Sequence, residues 1–519
     1  MNQNFSYQKD TAVVETGRGK VRGYIHKDIT IFKGIPYAKA ARFHAPEPVE
    51  PWEGVLDATS YGYVCPLLDM GGRPNGELLV PHRYWVMNED CQNLNVWTPG
   101  CDEEKRPVLV WLHGGGYEAG SSIEQDAYEG ENMCRIGQVV VVSVNHRLNV
   151  LGYCDLSAFG EEYANSGNAG TDDIIEALRW VRDNIAGFGG DPDNVTVFGQ
   201  SGGGAKLTTL LQTPAADGLF HKGINMSGII GPLLADEKGS GEELVRAMME
   251  ELAIKDVKEL ETVPYPALAA AYLKVKPALM AAGKYVGCKP HPNAFYKGTP
   301  EENGFRPETA QIPLMIGTVY GEFTSFAPTQ YDKSAMTAQE GEDFVRKALG
   351  EEAAAELLPL YKEAYPERNP VDIMTIDSIF RLPAQAYIKQ RSALNDCTYA
   401  YLFNQDMPLD GGRTPWHCSD IPFFFHNICL VPVAEGAENA EKLENQIFQS
   451  VMAFARTGNP NHPDIPQWPA STADEEHTML FDGDCRVRVN YDADLVAAAM
   501  RYGNLFMEYL KENWGKVQH

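Results

Sequence analysis

Positive charge is scarce in this chain of 519 residues, where 44 lysines and arginines stand against 71 aspartates and glutamates and the formal net charge is −27. A surface of that sign repels nucleic-acid phosphates and anionic headgroups, so neither nucleic acid nor membrane is expected as a partner. No transmembrane run is present, and the start, Met1-Asn2-Gln3-Asn4-Phe5-Ser6, has neither the basic nor the apolar region of a secretory signal. A cytoplasmic location is therefore expected. Cysteine is present but unpatterned: ten residues without regular spacing, and no C-x-x-C pair, make neither a disulfide scaffold nor a zinc-ligand set. Also missing are a Ser/Pro-rich linker, a charge block, an internal repeat and a low-complexity tract. Length alone would suggest roughly three domains, yet nothing divides the chain, and one large domain over residues 1–519 is expected.

Apolar runs near residues 108–112, 139–145, 195–198, 223–226, 312–317 and 398–403 alternate with helical stretches, the pattern of a mostly parallel sheet covered by helices on both faces. Antiparallel edge strands are expected within residues 11–33. The Ala/Glu/Lys-rich segment at about 240–285 reads as a helical insertion.

Gly199-Gln200-Ser201-Gly202-Gly203 follows the strand-like Val195-Thr196-Val197-Phe198 and precedes the helix-compatible Ala205–Leu211. G-x-S-x-G at a strand–turn–helix junction is a nucleophile elbow, in which a strained turn points the serine hydroxyl out of the sheet and close backbone packing excludes side chains two positions away. By itself the pentapeptide is weak, because 48 glycines will generate it by chance. Acyl transfer also needs backbone N–H donors for an oxyanion. Pro107–Leu112 reads as a buried strand running into His113-Gly114-Gly115-Gly116-Tyr117, a glycine-rich loop of the required type. Gly115, Gly116 and Gly202 are the expected donors. An isolated glycine triplet is ordinarily a surface turn; its pairing with the serine elbow favours the functional reading.

With these motifs the chain resembles the type-B carboxylesterase/lipase family of the α/β-hydrolase fold, over nearly its whole length. Phe32-Lys33-Gly34-Ile35-Pro36-Tyr37-Ala38, Glu89-Asp90-Cys91-Gln92-Asn93-Leu94-Asn95-Val96, Asn145-His146-Arg147-Leu148, Gly167-Asn168-Ala169-Gly170 and Asn184–Thr196 match family segments in the right order. The resemblance implies an α/β-hydrolase fold with helical cap insertions, ester hydrolysis on a small-molecule substrate through an acyl-enzyme, and no metal or organic cofactor. It also matches Cys65 and Cys91 to the family's first disulfide pair, with two buried thiols the equal alternative in a reducing compartment.

Triad partners follow the nucleophile in the order acid then histidine. Glu322 is the first carboxylate after the strand-like Gln311–Gly317 and matches the family's triad acid, though Gly321 and Phe323 depart from the usual pattern. Of 12 histidines, His417 opens the segment His417–Phe425 that resembles the family's H-G-x-E-[IL]-x-F-x-F, with Cys418 replacing glycine. His426 is expected to be a core histidine, and His113 to orient the oxyanion loop. The implied roles are nucleophile for Ser201, general base and acid for His417, and orienting carboxylate for Glu322. Gln200 stands where relatives often have Glu. Gln200 and Tyr117 are candidate substrate contacts, and Tyr84 and Trp85 candidate gorge aromatics with ordinary packing as the equal alternative. Short or aromatic acyl esters are the expected substrates. Two rival readings compete with this one. A phosphate-binding loop fails because Ala205 and Leu207 stand where lysine and Ser/Thr are required. A non-catalytic adhesion relative would have lost the nucleophile, whereas Ser201, Glu322 and His417 are all present.

Overall fold

Continuous apolar runs with β-branched residues build strands that are buried on both faces, and those strands carry this fold. The computed structural model describes residues 4–69, 76–229, 239–327 and 331–514. These fall into two compact units, the first drawn from Met1–Pro74, His82–Gly228 and Leu234–Ile312, the second from Asn75–Pro81, Ile229–Leu233 and Pro313–His519.

In the first unit eight strands pair in one sheet: β1 (Phe5–Ser6), β2 (Tyr24–His26), β3 (Ile29–Pro36), β4 (Asn93–Thr98), β5 (Arg106–Leu112), β6 (Val140–Val144), β7 (Gly190–Gln200) and β8 (Lys222–Met226), in the spatial order β1-β2-β3-β4-β6-β5-β7-β8. The pairings from β1 to β6 are antiparallel, and β6-β5-β7-β8 are parallel. Val108–Leu112 and all of β6 are buried, as parallel strands covered on both sides must be. The strands expected here therefore form. β7 starts earlier than its apolar run because Gly190 pairs with Arg106 across an irregularity in the ladder.

The expected antiparallel edge over residues 11–33 divides between two sheets. Val13–Thr16 and Gly19–Arg22 form a hairpin joined by Val55–Asp57 in a separate three-stranded sheet, whereas β2 and β3 belong to the main one. The change falls at Gly23, where a Cβ would collide with the Ile31 carbonyl. Helices Glu242–Glu251 and Tyr265–Ala281 fill the expected insertion. Their Leu244, Met248, Leu268 and Tyr272 bury against Leu148, Leu151, Cys65 and Cys91.

In the second unit β9 (Leu314–Val319), β10 (Thr398–Phe403) and β11 (His477–Phe481) are parallel and β12 (Arg486–Val489) closes the edge antiparallel. A second apolar cluster forms there from Tyr320, Val345, Leu357, Tyr361, Leu402 and Leu480. No helix among the described residues is long and apolar enough to cross a membrane.

The Asn145–Leu148 segment earns its place through one ion pair. Arg147 Nη2 lies 2.7 Å from Asp173 Oδ1, both side chains buried, while Nε donates to Asp173 Oδ2 and Nη1 to the carbonyls of Ala41 and His44. Every arm of the guanidinium is thereby engaged, which is what allows the charge to be buried at all. Asp173→Ala should strand that charge, cost about 3–5 kcal/mol, and lower the melting temperature by several degrees. Thermal unfolding followed by circular dichroism checks this; an unchanged melting point would mean the pair holds nothing.

Candidate active site

β5 and β7 run side by side in parallel, and at their carboxyl ends Leu112 pairs with Gly199. The chain leaving β5 becomes the His113–Tyr117 loop and the chain leaving β7 becomes Ser201 and α1 (Gly202–Leu211), so the two glycine-rich motifs meet because their strands do. Ligand sites of parallel sheets form at this end of the strands. Ser201 has φ 56° and ψ −124°, a left-handed backbone that a non-glycine residue adopts at a cost of about 1–3 kcal/mol. Its N–H donates to the Met226 carbonyl at 2.8 Å and its own carbonyl accepts from Ala205 at 3.0 Å, so the strained residue is held from both sides.

No side chain fits between elbow and loop. A Cβ on Gly203 would fall on the Leu112 carbonyl, and one on Gly202 would fall on the Gly116 backbone. Gly115 and Gly116 both have positive φ, 83° and 64°, and Glu118 and Ala119 donate to the Gly115 carbonyl. That folding uses the loop's carbonyls. Among the described residues, no protein acceptor takes the N–H groups of Gly115, Gly116 or Gly202. Adjoining amides without an acceptor, beside a hydroxyl on a strained turn, can stabilise an anionic oxygen.

Glu322 and His417 come together within the second unit. Glu322, at φ 25°, follows β9 and is buried; its Oε1 accepts from the Val319 N–H at 2.8 Å, and its Oε2 lies 2.5 Å from His417 Nδ1. The His417 N–H also donates to the Glu322 carbonyl at 3.2 Å. Two of the three departures from the family pattern, Phe323 and Cys418, acquire a physical reading. Phe323 lays its ring against the imidazole of His417 at 4.5 Å between centroids, with Phe380 at 5.2 Å. Cys418 takes φ 77°, the left-handed conformation that glycine adopts freely, so the loop keeps its path at a local cost.

Two further carboxyls surround this pair, neither singled out from the sequence. Asp377 accepts N–H bonds from Ile379, Phe380 and Arg381, and its own N–H donates to the Tyr320 carbonyl. Asp420 accepts from the Tyr401 hydroxyl at 3.1 Å. Burial, with the charge of Glu322 adding to it, pushes the Asp377 carboxyl up and the Asp420 carboxyl up to about 7. Asp420 lay inside the quoted His417–Phe425 motif; Asp377, 55 residues from Glu322, carried no local signal.

The remaining sequence candidates sort as follows. His113 is buried, its Nδ1 2.9 Å from the Gly114 carbonyl and its ring stacked on His146. His426 pairs with Glu444 at 3.2 Å and packs on Phe448, a structural histidine. Tyr117 is partly buried, its hydroxyl 2.9 Å from Thr209 Oγ1. Gln200 is buried, with its Oε1 beside Gly114. Tyr84 and Trp85 are exposed at 69% and 41%, and Trp85 packs edge-on against Tyr61. Cys65 and Cys91 are buried free thiols.

Comparison with known proteins gives the family. The family model described as the carboxylesterase family matches residues 10–497. Para-nitrobenzyl esterase of Bacillus subtilis (strain 168) is 34% identical over 495 residues, 92% of this chain and 96% of the relative. Phenmedipham hydrolase of Pseudarthrobacter oxydans is 31% identical, covering 90% of this chain and 94% of that one. A solved esterase from anaerobic Clostridium hathewayi, which can hydrolyse aliphatic aromatic polyesters, matches with a TM-score of 0.93 at 51% identity, covering 96% of this chain and 99% of its own.

The close approach at Gly203 generates a test. Gly203→Ala must push the elbow from the Leu112 carbonyl, and a displacement of about 1 Å costs reactivity on the order of 10²-fold. The rate of Ser201 phosphonylation by a fluorophosphonate should fall by at least about that factor; a rate near wild type would show that the elbow has slack.

Proposed function

The chain belongs to the carboxylesterase family, has the α/β-hydrolase fold and hydrolyses carboxylic esters, and on that premise we propose that Ser201, His417 and Glu322 form its catalytic triad. Ser201 Oγ attacks the ester carbonyl carbon while His417 Nε2 takes its proton. The carbonyl oxygen becomes anionic and receives N–H bonds from Gly115, Gly116 and Gly202. Collapse of the tetrahedral intermediate breaks the bond to the alkoxide, which His417 protonates, leaving an acyl-serine. Water then attacks, giving its proton to His417, and the serine is released with the carboxylic acid.

The observation that carries this reading is the His417 Nδ1 to Glu322 Oε2 contact of 2.5 Å. A carboxylate on Nδ1 fixes the tautomer with its lone pair on Nε2 and stabilises the imidazolium that forms during attack. Loop amides without a protein acceptor support the oxyanion assignment.

For the substrate, we propose uncharged esters with short or aromatic acyl groups. Gln200 puts a neutral, buried amide beside the nucleophile where a carboxylate would attract a cation. One relative is named for esters of an aromatic alcohol and one for aliphatic aromatic polyesters, so both take an ester with an aromatic ring nearby, the first on its alcohol side.

Ser201→Ala should retain the fold and lose on the order of 10⁵–10⁶ in kcat. His417→Ala should lose a similar factor and Glu322→Ala less, with Ser201→Ala/His417→Ala little worse than Ser201→Ala alone. Hydrolysis of p-nitrophenyl butyrate measures all four, and a fully active His417→Ala would remove the base from this assignment. For the substrate class, kcat/KM for p-nitrophenyl butyrate should exceed that for butyrylthiocholine by about tenfold or more. The opposite order would reveal a cation site that Gln200 does not describe.

A further inference from the structure

One face of α1 carries an unexpected charge. The helix is otherwise built of small, apolar and hydroxyl residues, yet Lys206, five positions beyond Ser201, is 1% exposed. Its Nζ donates to the His113 carbonyl at 2.9 Å. Among the described residues no other donor reaches that carbonyl. A buried carbonyl without a donor costs about 1–3 kcal/mol, so this contact fixes the orientation of the His113–Gly114 peptide at the entry to the glycine loop.

A second strap lies at the loop's other end. Thr209, one turn beyond Lys206 on the same helix face, meets the Tyr117 hydroxyl at 2.9 Å. Loop residues 113 and 117 are thus both tied to the helix that begins at Ser201, with Gly202 packed against the Gly116 backbone between them and Gly203 against the Leu112 carbonyl just before. Glu124 supplies the opposing charge to Lys206. Burial pushes the Lys206 ammonium down to about 7, and burial together with the Lys206 charge holds the neighbouring His113 and His146 neutral. Burial likewise pushes the Glu124 carboxyl up to about 7, so what fixes the loop is the geometry of the Lys206 contact with the His113 carbonyl.

We propose that Lys206 is a positioning residue for ester hydrolysis, holding the Gly114–Gly116 amides in register with Ser201 through the His113 carbonyl. The inference rests on the assignment of those amides to the oxyanion. Lys206→Met keeps the side-chain length and removes the donor. With p-nitrophenyl butyrate, kcat should fall about 10- to 100-fold while KM stays within about twofold. Inhibition by an aryl trifluoromethyl ketone, whose serine adduct carries the oxyanion, should weaken by the same factor as kcat/KM. A merely structural lysine would lower the melting temperature without that split.

Should Lys206→Met fail to fold, Lys206→Met/Glu124→Gln removes both charges and is held to the same criteria, since replacing a buried pair is often neutral for stability. A folded variant with kcat within twofold of wild type, or with the ketone affinity unmoved, overturns the proposal. Fluorophosphonate labelling of wild type, located by peptide mass, separates the two levels. Labelling away from Ser201 defeats the triad assignment itself, whereas Ser201 labelling with an indifferent Lys206→Met defeats only the role of the lysine.

Discussion

Gly203 and the Leu112 carbonyl approach so closely that no Cβ can stand between them, and the elbow and glycine loop of the first unit are arranged around that approach. Parallel strands run about 4.8 Å apart, and β5 and β7 keep this spacing to their last pair, Leu112 with Gly199. Beyond it one chain must turn into a loop and the other into a helix within the same small space. Glycine at 202 and 203 lets helix backbone lie on loop backbone, which brings amides rather than side chains to the surface beside Ser201. Amides held this way cost no reorganisation when charge develops on a bound oxygen.

Buried ionisable groups of opposite kind stand beside the two motifs. Beneath the glycine loop the group is Lys206, with Glu124 near it. Around His417 they are carboxyls, Glu322 at Nδ1 with Asp377 and Asp420, the last two raised chiefly by burial. The net −27 of the whole chain says nothing of either, because exposed charges are screened within about 10 Å in ordinary salt. Local burial decides which groups carry charge.

Strands were legible in the sequence because continuous burial demands continuous apolar runs: Val108–Leu112, Val140–Val144 and Thr398–Phe403 all form where those runs lie. The two glycine motifs were legible because close backbone contact excludes other residues. What escaped had no periodic or compositional signature. Asp377 reaches Glu322 through a helix start far along the chain. Lys206 lies in a helix-compatible run with nothing local to mark it as buried, and its partner is a carbonyl 93 residues earlier. The division of residues 11–33 between two sheets turns on a single steric limit at Gly23, which hydrophobic pattern does not report.

The left-handed backbone of Ser201 is paid for whether or not an ester is present. Glycine at 201 would relieve it, and on the triad proposed above that relief removes the nucleophile. Directed evolution for heat resistance that does not also demand turnover would drift toward relaxing this turn, and a library screened on melting temperature alone would enrich inactive chains. Activity here is maintained against the grain of stability, one residue at a time.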